Sequence, residues 1–340
     1  MSLVKDLWSR LREFVGGLFG RKPPAPGTFV AGAKLSWRGF LVTAPLIAPR
    51  RDYLAYVPAR AGSRWDWRRR PLLVLLHGCR QTPEEVAGAT RVAQLADDDD
   101  LLVLLPRQNP RANAWGCWSW FDPATARGWG ETAIVAAQVR ALRRRYRVDR
   151  RRVFVAGLSS GGALAAVLGL RRPDLVAGVF VHSGIACGAA SSPYAALGVL
   201  KSGADADVVR IAAAARAATD PRNLPVPLLV VQGGADDVVA PINAVHLVRQ
   251  YLCLNGHPAA TAGAAGELPP SDASRVETTP AGRTITTSDW SVGARLVARH
   301  VQVDALGHAW SGGDERYRYN DANAPDATAL LRGFIRETMQ

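Results

Sequence analysis

Short apolar runs alternate with longer amphipathic stretches from about residue 52 onward. The runs cover residues 72–76, 101–105, 153–156, 179–181, 228–231 and 301–303. Nearly continuous apolar runs are typical of strands in a parallel sheet that is covered on both faces. Helical spacing of apolar residues occurs over residues 83–95, 131–146, 160–170 and 241–254. This alternation predicts an α/β fold with a mostly parallel central sheet and helices on both faces.

Two segments do not follow the alternation. Apolar residues near the amino terminus have the spacing of an amphipathic helix, and a Pro-rich stretch follows that helix up to residue 27. We therefore expect a helix and linker over 1–27 and a single large domain over 28–340. The helix could dock on that domain or make weak contact with an anionic membrane surface. Residues 255–290 are rich in Gly, Ala, Pro, Ser and Thr, which predicts a surface excursion before the final strand.

The net charge of +13 raises the question of a nucleic-acid partner. The basic residues are mostly Arg in short runs, such as 143–145 and 150–152, and no recognisable nucleic-acid module accompanies them. We expect solvated faces and no specific nucleic-acid partner. The amino terminus lacks the continuous apolar region of a secretory signal peptide, which by itself points to the cytoplasm.

Four cysteines are present, without CxxC pairing and without His spacing suited to zinc. The sequence therefore predicts no metal site. Two disulfides are compatible with the count, but the count alone assigns no pair.

The most informative motif is GLSSGG at residues 157–162, between an apolar run and a helical pattern. This context predicts Ser159 on a tight strand-to-helix turn, the nucleophile elbow of serine hydrolases. Glycine is expected at 157 and 161 because side chains there would collide with neighbouring elements. Ser160 is a competing nucleophile, but its position one residue later suits a backbone N–H in an oxyanion hole.

A serine hydroxyl needs a base to take its proton, and in this arrangement the order along the chain is Ser, acid, His. The turn after 228–231 contains Asp236 and Asp237, and spacing alone allows either to be the acid. His308 follows the last strand and is the candidate base. The loop after 72–76 offers the backbone N–H of Cys79 as a second oxyanion donor, with that of Ser160. This chemistry requires no organic or metal cofactor.

Several motifs, in this order, resemble the esterases of the poly(3-hydroxybutyrate) depolymerase type, which are related to feruloyl and acetyl-xylan esterases. They are HGCRQTP at 77–83, CWSWF at 117–121, RGWGE at 127–131, GLSSGG at 157–162, GGAD at 233–236 and GHAWSGG at 307–313. The resemblance implies an α/β-hydrolase fold with Ser159 as nucleophile, Asp236 as acid and His308 as base. Asp236 is favoured over Asp237 because the acid of this family is the fourth residue of the Gly-led turn.

The resemblance also implies a Cys79–Cys117 disulfide, with two buried thiols as the alternative. Aromatic residues near the predicted site suggest a substrate pocket that includes Trp310 and Trp118, together with Gln81. For Trp118, a core position that braces its loop is the competing interpretation.

The expected substrate is a carboxylic ester, either a hydroxyalkanoate oligomer or a short-chain acyl ester. The alternatives are a feruloyl or acetyl-xylan type esterase, and a non-catalytic binding protein on a hydrolase scaffold. This chain departs from the family at Gln232, where the family often has His, and at Ser160, where a small residue is usual. It also shows no linker and polymer-binding domain, which argues against efficient attack on solid polyester. The secreted members of the family imply an extracellular location, whereas the lack of a recognisable signal peptide favours the cytoplasm.

Overall fold

The structure is a computed structural model that describes residues 27–35, 50–59, 61 and 67–339. The predicted amino-terminal helix lies outside these residues, so its docking or membrane contact stays a prediction. Among the described helices, none has both the length and the apolar character that a membrane crossing requires.

A ten-stranded sheet forms the centre of the fold, in the order β1-β2-β4-β3-β5-β6-β7-β10-β9-β8. Its strands are β1 (Thr28–Leu35), β2 (Arg50–Val57), β3 (Arg70–Leu76), β4 (Leu102–Pro106), β5 (Val148–Leu158), β6 (Gly178–His182), β7 (Leu228–Gly233), β8 (Ala273–Thr278), β9 (Thr284–Val292) and β10 (Arg295–Val303). The strands from β4 to β10 in this order pair in parallel, and both edges are antiparallel. A separate two-stranded sheet joins β11 (Trp310–Ser311) to β12 (Asn320–Asp321).

Helices cover both faces of the large sheet. They are α1 (Pro83–Ala89), α2 (Val92–Asp99), α3 (Pro123–Ala126), α4 (Gly130–Arg145), α5 (Ser160–Arg171), α6 (Pro193–Ser202), α7 (Val208–Ala217), α8 (Ile242–Asn255) and α9 (Ala327–Thr338), with short 3-10 turns at Pro221–Asn223 and Pro258–Thr261. Alternate residues of β3 belong to two different cores: Leu72 and Val74 pack with α4 and α5, whereas Leu73 and Leu75 pack with α1, α2 and α9. Burial on both faces explains the continuous apolar runs, and the predicted fold class is confirmed.

The boundaries of the predicted elements changed in two places. The helix expected over 83–95 is divided into α1 and α2, because Arg91 adopts a left-handed backbone with a φ of 52°. The surface excursion expected over 255–290 is wrong in part, since it contains β8 and most of β9, which extend the sheet beyond β10. All six residues of β8 are exposed, so this strand lacks the apolar alternation by which it could have been recognised.

The parallel strands bring the predicted site residues to one edge of the sheet. Cys79 follows β3, Ser159 follows β5, Asp236 follows β7 and His308 follows β10. Because parallel strands end at the same edge, these four residues lie on the side where α/β sheets bind ligands.

Candidate active site

Ser159 occupies a sharp turn between β5 and α5, with a φ of 57° and a ψ of −123°. Two glycines permit this turn. A Cβ on Gly157 would lie 2.4 Å from the carbonyl carbon of Gly161, and a Cβ on Gly161 would lie 2.3 Å from the carbonyl oxygen of Leu76. Backbone atoms cannot yield at such distances, so the elbow requires glycine at both positions.

Asp236 and His308 are in direct contact. The Nδ1 atom of His308 lies 2.9 Å from one carboxylate oxygen of Asp236 and 3.1 Å from the other. The amides of Val238 and Val239 donate to the same carboxylate at 3.0 and 2.8 Å, and Gln232 Nε2 donates at 3.4 Å. The carboxylate is therefore held in one orientation, with the imidazole as one of several donors.

Opposing effects act on the ionisation of this carboxyl group. Burial alone would raise the pKa of Asp236, but hydrogen bonding to His308, the charge on that ring and the Val239 amide hold the pKa below its ordinary value. Asp236 is therefore ionised at neutral pH and stabilises positive charge on the adjacent imidazole.

His308 and Ser159 lie at the same edge of the sheet, but among the described residues no hydrogen bond joins Ser159 Oγ to His308 Nε2. The bond to Asp236 occupies Nδ1 of the imidazole, which leaves Nε2 as its acceptor. In free serine hydrolases the bond between nucleophile and base is often long and shortens when substrate binds.

The loop after β3 lies against the elbow. A Cβ placed on Gly78 would be 3.6 Å from the Cβ of Ser159. The amide of Gly78 donates to Gln81 Oε1 at 2.8 Å, which closes the loop. The next amide, that of Cys79, makes no hydrogen bond to any described residue. Ser160 is the first residue of α5, so its N–H has no partner inside the helix either.

His77 orients the peptide that carries the Cys79 amide. Its Nε2 accepts from the Gln108 amide at 3.1 Å, so the ring proton is on Nδ1, which donates to the Gly78 carbonyl at 2.8 Å. A trans peptide directs its N–H away from its C=O, and the Cys79 amide therefore points away from His77. Burial lowers the pKa of His77 to about 4, so the ring stays neutral and keeps this pattern.

A disulfide joins Cys79 to Cys117 and ties the loop after β3 to the Trp-rich loop. Ser160 Oγ lies 3.4 Å from the Cys79 sulfur and accepts from the Trp118 amide at 3.4 Å. The Arg80 amide donates to the Trp115 carbonyl at 2.8 Å. The two loops and the first turn of α5 therefore form one connected unit around the Cys79 amide.

A buried carboxyl group anchors the Trp-rich loop from below. Glu131, in the first turn of α4, accepts from the Ser119 amide at 2.7 Å and from the Gln108 side chain. Burial raises the pKa of Glu131, although these two donors oppose the shift. Glu131 is only 4% exposed and both of its carboxylate oxygens accept hydrogen bonds, so its role is that of a structural anchor.

The double replacement Cys79→Ser and Cys117→Ser is expected to lower kcat for ester hydrolysis by about tenfold, with KM little changed. Removal of one oxyanion-hole donor typically lowers kcat by roughly 10²–10³-fold. In this variant the Cys79 amide remains, but the disulfide no longer holds its loop in place, so a smaller loss is expected. The free energy of unfolding should fall by about 2–4 kcal/mol. Steady-state kinetics and denaturant unfolding measure both effects.

Cys253→Ser, at a half-buried free cysteine, is the control. Mass spectrometry of a non-reduced digest checks the bridge, and alkylated Cys79 and Cys117 would contradict it.

Three side chains predicted to line the substrate pocket lie inside the protein. Trp118 is 1% exposed, and its indole N–H donates to the His77 carbonyl at 2.9 Å. Trp310 is 2% exposed, and its indole N–H donates to Thr328 Oγ1 at 3.1 Å. Both are core residues, and for Trp118 the bracing interpretation fits the structure better than the pocket interpretation.

Gln81 uses its side chain within the protein as well. Its Oε1 accepts from Gly78, and its Nε2 donates to the Arg318 carbonyl at 3.3 Å. Gln81 and Trp310 do border a small cavity beside Leu158, but it has room for only about one water molecule. The assignment of Gln81 to the substrate pocket is therefore corrected to a brace for the loop after β3.

Sequence reasoning gave little weight to the aromatic side chain that the structure does expose near the site. Trp115 is 52% exposed and lies on the disulfide-linked loop. Its neighbours Ala114 and Gly116 carry no signal that distinguishes an exposed indole from a buried one. Across the described residues, no three His, Cys, Asp or Glu side chains are grouped so as to hold a metal ion.

Comparison with known proteins identifies the family. The family model described as Esterase PHB depolymerase matches residues 52–270. The chain belongs to this family. The resemblance seen in the motifs is confirmed, and the match covers the loop after β3, the elbow and the Asp236 turn.

Curated relatives have ester-hydrolase names. The chain is 30% identical to poly(3-hydroxyalkanoate) depolymerase C of Paucimonas lemoignei over 188 residues, covering 55% of this chain and 45% of that protein. It is 32% identical to feruloyl esterase B of Neurospora crassa over 127 residues, covering 36% of this chain and 42% of that protein. The chain spans less than half the length of these relatives. Their names agree with the predicted reaction class, carboxylic ester hydrolysis.

Solved structures agree on the fold. The acetyl xylan esterase from Aspergillus awamori superposes with a TM-score of 0.63 at 19% identity, over 82% of this chain and 94% of that chain. The S-formylglutathione hydrolase from Agrobacterium tumefaciens gives a TM-score of 0.52 at 16% identity, over 92% of this chain and 96% of that chain. The fold of this chain is that of the α/β-hydrolase esterases.

Proposed function

We propose that this protein hydrolyses carboxylic esters through an acyl-enzyme intermediate on Ser159. The observation that carries the proposal is the contact of 2.9 Å between His308 Nδ1 and Asp236, at the sheet edge where the elbow presents Ser159. A buried carboxylate that fixes an imidazole next to an activated serine is the arrangement that acyl transfer requires.

In the first half-reaction, Ser159 Oγ attacks the ester carbonyl carbon while His308 Nε2 takes the hydroxyl proton. The carbonyl electron pair moves onto oxygen, and the resulting oxyanion accepts hydrogen bonds from the amides of Cys79 and Ser160. When the oxyanion collapses, the bond to the leaving alcohol breaks and His308 returns the proton to that oxygen. Asp236 stabilises the imidazolium that exists between these transfers.

In the second half-reaction, His308 takes a proton from water as the water oxygen attacks the acyl carbon. The second tetrahedral oxyanion occupies the same pair of amides. Its collapse breaks the bond to Ser159 Oγ, which recovers the proton from His308, and the carboxylic acid leaves. The free enzyme is regenerated with no net change in its protonation.

For the substrate, we propose a hydroxyalkanoate oligomer or a short-chain acyl ester. The relative from Paucimonas lemoignei is named for poly(3-hydroxyalkanoate) depolymerisation, and its match covers 55% of this chain. The exposed indole of Trp115 offers an apolar surface beside the Cys79 loop for the acyl chain. A feruloyl or acetyl-xylan type activity is the second candidate, favoured by the identity to feruloyl esterase B.

A fluorophosphonate probe and a substrate panel test the proposal together. We expect the probe to label Ser159, as located by peptide mass spectrometry, because fluorophosphonates react with base-activated serines. In parallel assays, hydroxybutyrate oligomers should give a kcat/KM at least about tenfold above methyl ferulate and acetylated xylan, corresponding to roughly 1.4 kcal/mol of transition-state binding. An unlabelled, folded protein would indicate a binding protein on a hydrolase scaffold. A preference for methyl ferulate or acetylated xylan would support the second candidate.

A further inference from the structure

Exposed arginines surround the edge of the sheet that lies opposite the candidate active site. This is the edge where the parallel strands begin. The arginines are at 68–69, just before β3, at 144–145 and 147, where α4 ends, and at 150–152, in the first part of β5. The Arg70 amide donates to the Arg147 carbonyl at 3.4 Å, so the starts of β3 and β5 are in contact. We call this surface the basic edge.

An irregularity in β5 holds three of these arginines out in solvent. Arg70 pairs with Val148 and Leu72 pairs with Val153, so a single residue of β3 lies opposite residues 149–152 of β5. The surplus residues bulge outward, as they do wherever one strand is locally longer than its partner. All three arginines of the bulge are exposed. Within the described part of the chain, the side chains of Arg150 and Arg151 form no ion pair.

Acidic residues at the same end of the sheet are already paired. Helix α2 leads into four consecutive aspartates at 97–100, on the side of the sheet away from α4. Asp99 pairs with Arg332 of α9 at 2.7 Å, and Asp100 pairs with Arg70 at 2.8 Å. These carboxylates therefore balance cations outside the basic edge, whose own positive charge remains in excess.

Aromatic rings lie among the cations of the basic edge. Trp67 is 68% exposed, and the guanidinium carbon of Arg147 lies 4.4 Å from its ring centroid. The guanidinium carbon of Arg145 lies 5.2 Å from the ring centroid of Tyr146. Tryptophan and tyrosine are enriched where proteins meet the interface between membrane and water, because their rings are apolar and carry a polar group.

The chain enters the domain at this same edge. Thr28, the first residue of β1, pairs with Val57, and Tyr56 pairs with Val103 near the start of β4. Three strand spacings separate β1 from β3, which places Thr28 roughly 14 Å from the start of β3. Residues 1–26 lie outside the described part of the chain. Their sequence contains five basic and two acidic residues, with the apolar positions at helical spacing noted above.

We propose that the basic edge is a docking surface for an anionic phospholipid membrane, to which residues 1–26 add an amphipathic segment. Arginine side chains near an anionic lipid surface each strengthen binding, and an exposed indole can enter the interface. A nucleic acid would satisfy the same charges. However, it would make no use of the apolar positions in residues 1–26, whereas an amphipathic helix inserts such positions between lipids.

Docking in this way sets the direction in which the candidate active site faces. Ser159 and His308 follow the carboxyl ends of β5 and β10, at the edge of the sheet opposite the basic edge. A protein bound through the basic edge therefore presents its site to the solution rather than to the lipid beneath it. Its substrates are then dissolved esters, and membrane binding leaves their hydrolysis unchanged.

Co-sedimentation of the full chain with vesicles tests the surface. At about 0.1 M salt, mixed phosphatidylglycerol and phosphatidylcholine vesicles should bind the protein at least about tenfold more strongly than phosphatidylcholine alone. Most of this preference should be lost at about 0.5 M salt, where exposed charges are screened. The double variant Arg150→Gln and Arg151→Gln should weaken binding to the anionic vesicles about 30-fold, because each arginine near such a surface contributes a factor of about five.

A second double variant, Arg111→Gln and Arg275→Gln, is the matched control. It removes the same charge from exposed positions, in the loop after β4 and in β8 at the end of the sheet. We expect its vesicle binding to stay within about twofold of the wild type. Equal losses in the two double variants would overturn the basic edge as the docking surface. So would binding to phosphatidylcholine alone that equals binding to the anionic vesicles.

Two further measurements test the occupant and the orientation. Tighter binding to a DNA duplex than to the anionic vesicles, at about 0.15 M salt, would overturn the membrane as the occupant. For a water-soluble ester, kcat/KM of the vesicle-bound protein should stay within about twofold of that of the free protein. A loss of more than about tenfold would overturn the orientation. If the protein hydrolyses no ester, only the proposed function fails, and vesicle binding still decides the docking surface.

Discussion

Replacement of Ser159 by alanine is expected to lower kcat for ester hydrolysis by about 10⁶-fold, the loss typical of removing the nucleophile of a serine hydrolase. The hydroxyl forms the acyl-enzyme bond, and no other atom of the elbow can replace it. The side chain is small, and the elbow glycines rather than the hydroxyl satisfy the backbone geometry. The variant should therefore fold normally, and burst and steady-state kinetics should show the loss in kcat alone.

Ser160→Ala is the matched control for this experiment. Ser160 also presents a hydroxyl at the start of α5, but that oxygen lies against the Trp118 amide and the Cys79 sulfur. Its proposed contribution is a backbone N–H, which alanine retains, so kcat should fall by no more than about tenfold. If Ser160→Ala abolished turnover while Ser159→Ala did not, the nucleophile would have to be reassigned to Ser160.

The parts of this fold that the sequence predicted are those where one physical requirement dominates. Strands such as β3 and β7 are buried on both faces. Nearly all of their residues are therefore apolar, and they can be recognised in the sequence without knowledge of the elements that pack against them. Glycine is required at 157 and 161 because a Cβ at either position would collide with backbone atoms, and this requirement leaves a glycine signature at fixed spacing. The elbow and the strands that lead to the candidate triad could therefore be predicted closely.

Residues whose role depends on distant partners were harder to assign. An indole beside a catalytic loop fits a pocket or a core equally well from sequence. Trp310 lies in the core, where Thr328 in α9, 18 residues later, accepts from its indole N–H. The β8–β9 hairpin was not predicted, because β8 is exposed and so lacks an apolar pattern. Its pairing with β9 is a matter of register, which residue composition does not reveal.

Asp236→Asn is expected to lower kcat by about 10⁴-fold, whereas Asp237→Asn should stay within about twofold of the wild type. The two aspartates are adjacent but differ in environment. The Asp236 side chain is 0% exposed and bonded to His308. Asp237 is exposed, and its carbonyl accepts from Lys201. An amide at position 236 still accepts from Val239, so the turn should be preserved, but it cannot stabilise the imidazolium. The opposite result would move the acid to Asp237.

The same pair of variants makes a prediction about stability against pH. The pKa of Asp236 is lower in the folded protein than its ordinary value of 3.8, because hydrogen bonds to the ionised form outweigh burial. The ionised carboxylate therefore stabilises the wild type above about pH 4, and this contribution is lost as the pH falls through the lower, folded pKa. Asp236→Asn lacks that contribution, so its free energy of unfolding should fall less steeply below pH 4, whereas Asp237→Asn should follow the wild type. Denaturant titrations between about pH 2 and 6 measure the difference. Parallel curves for all three proteins would mean that the Asp236 contacts do not favour its ionised form.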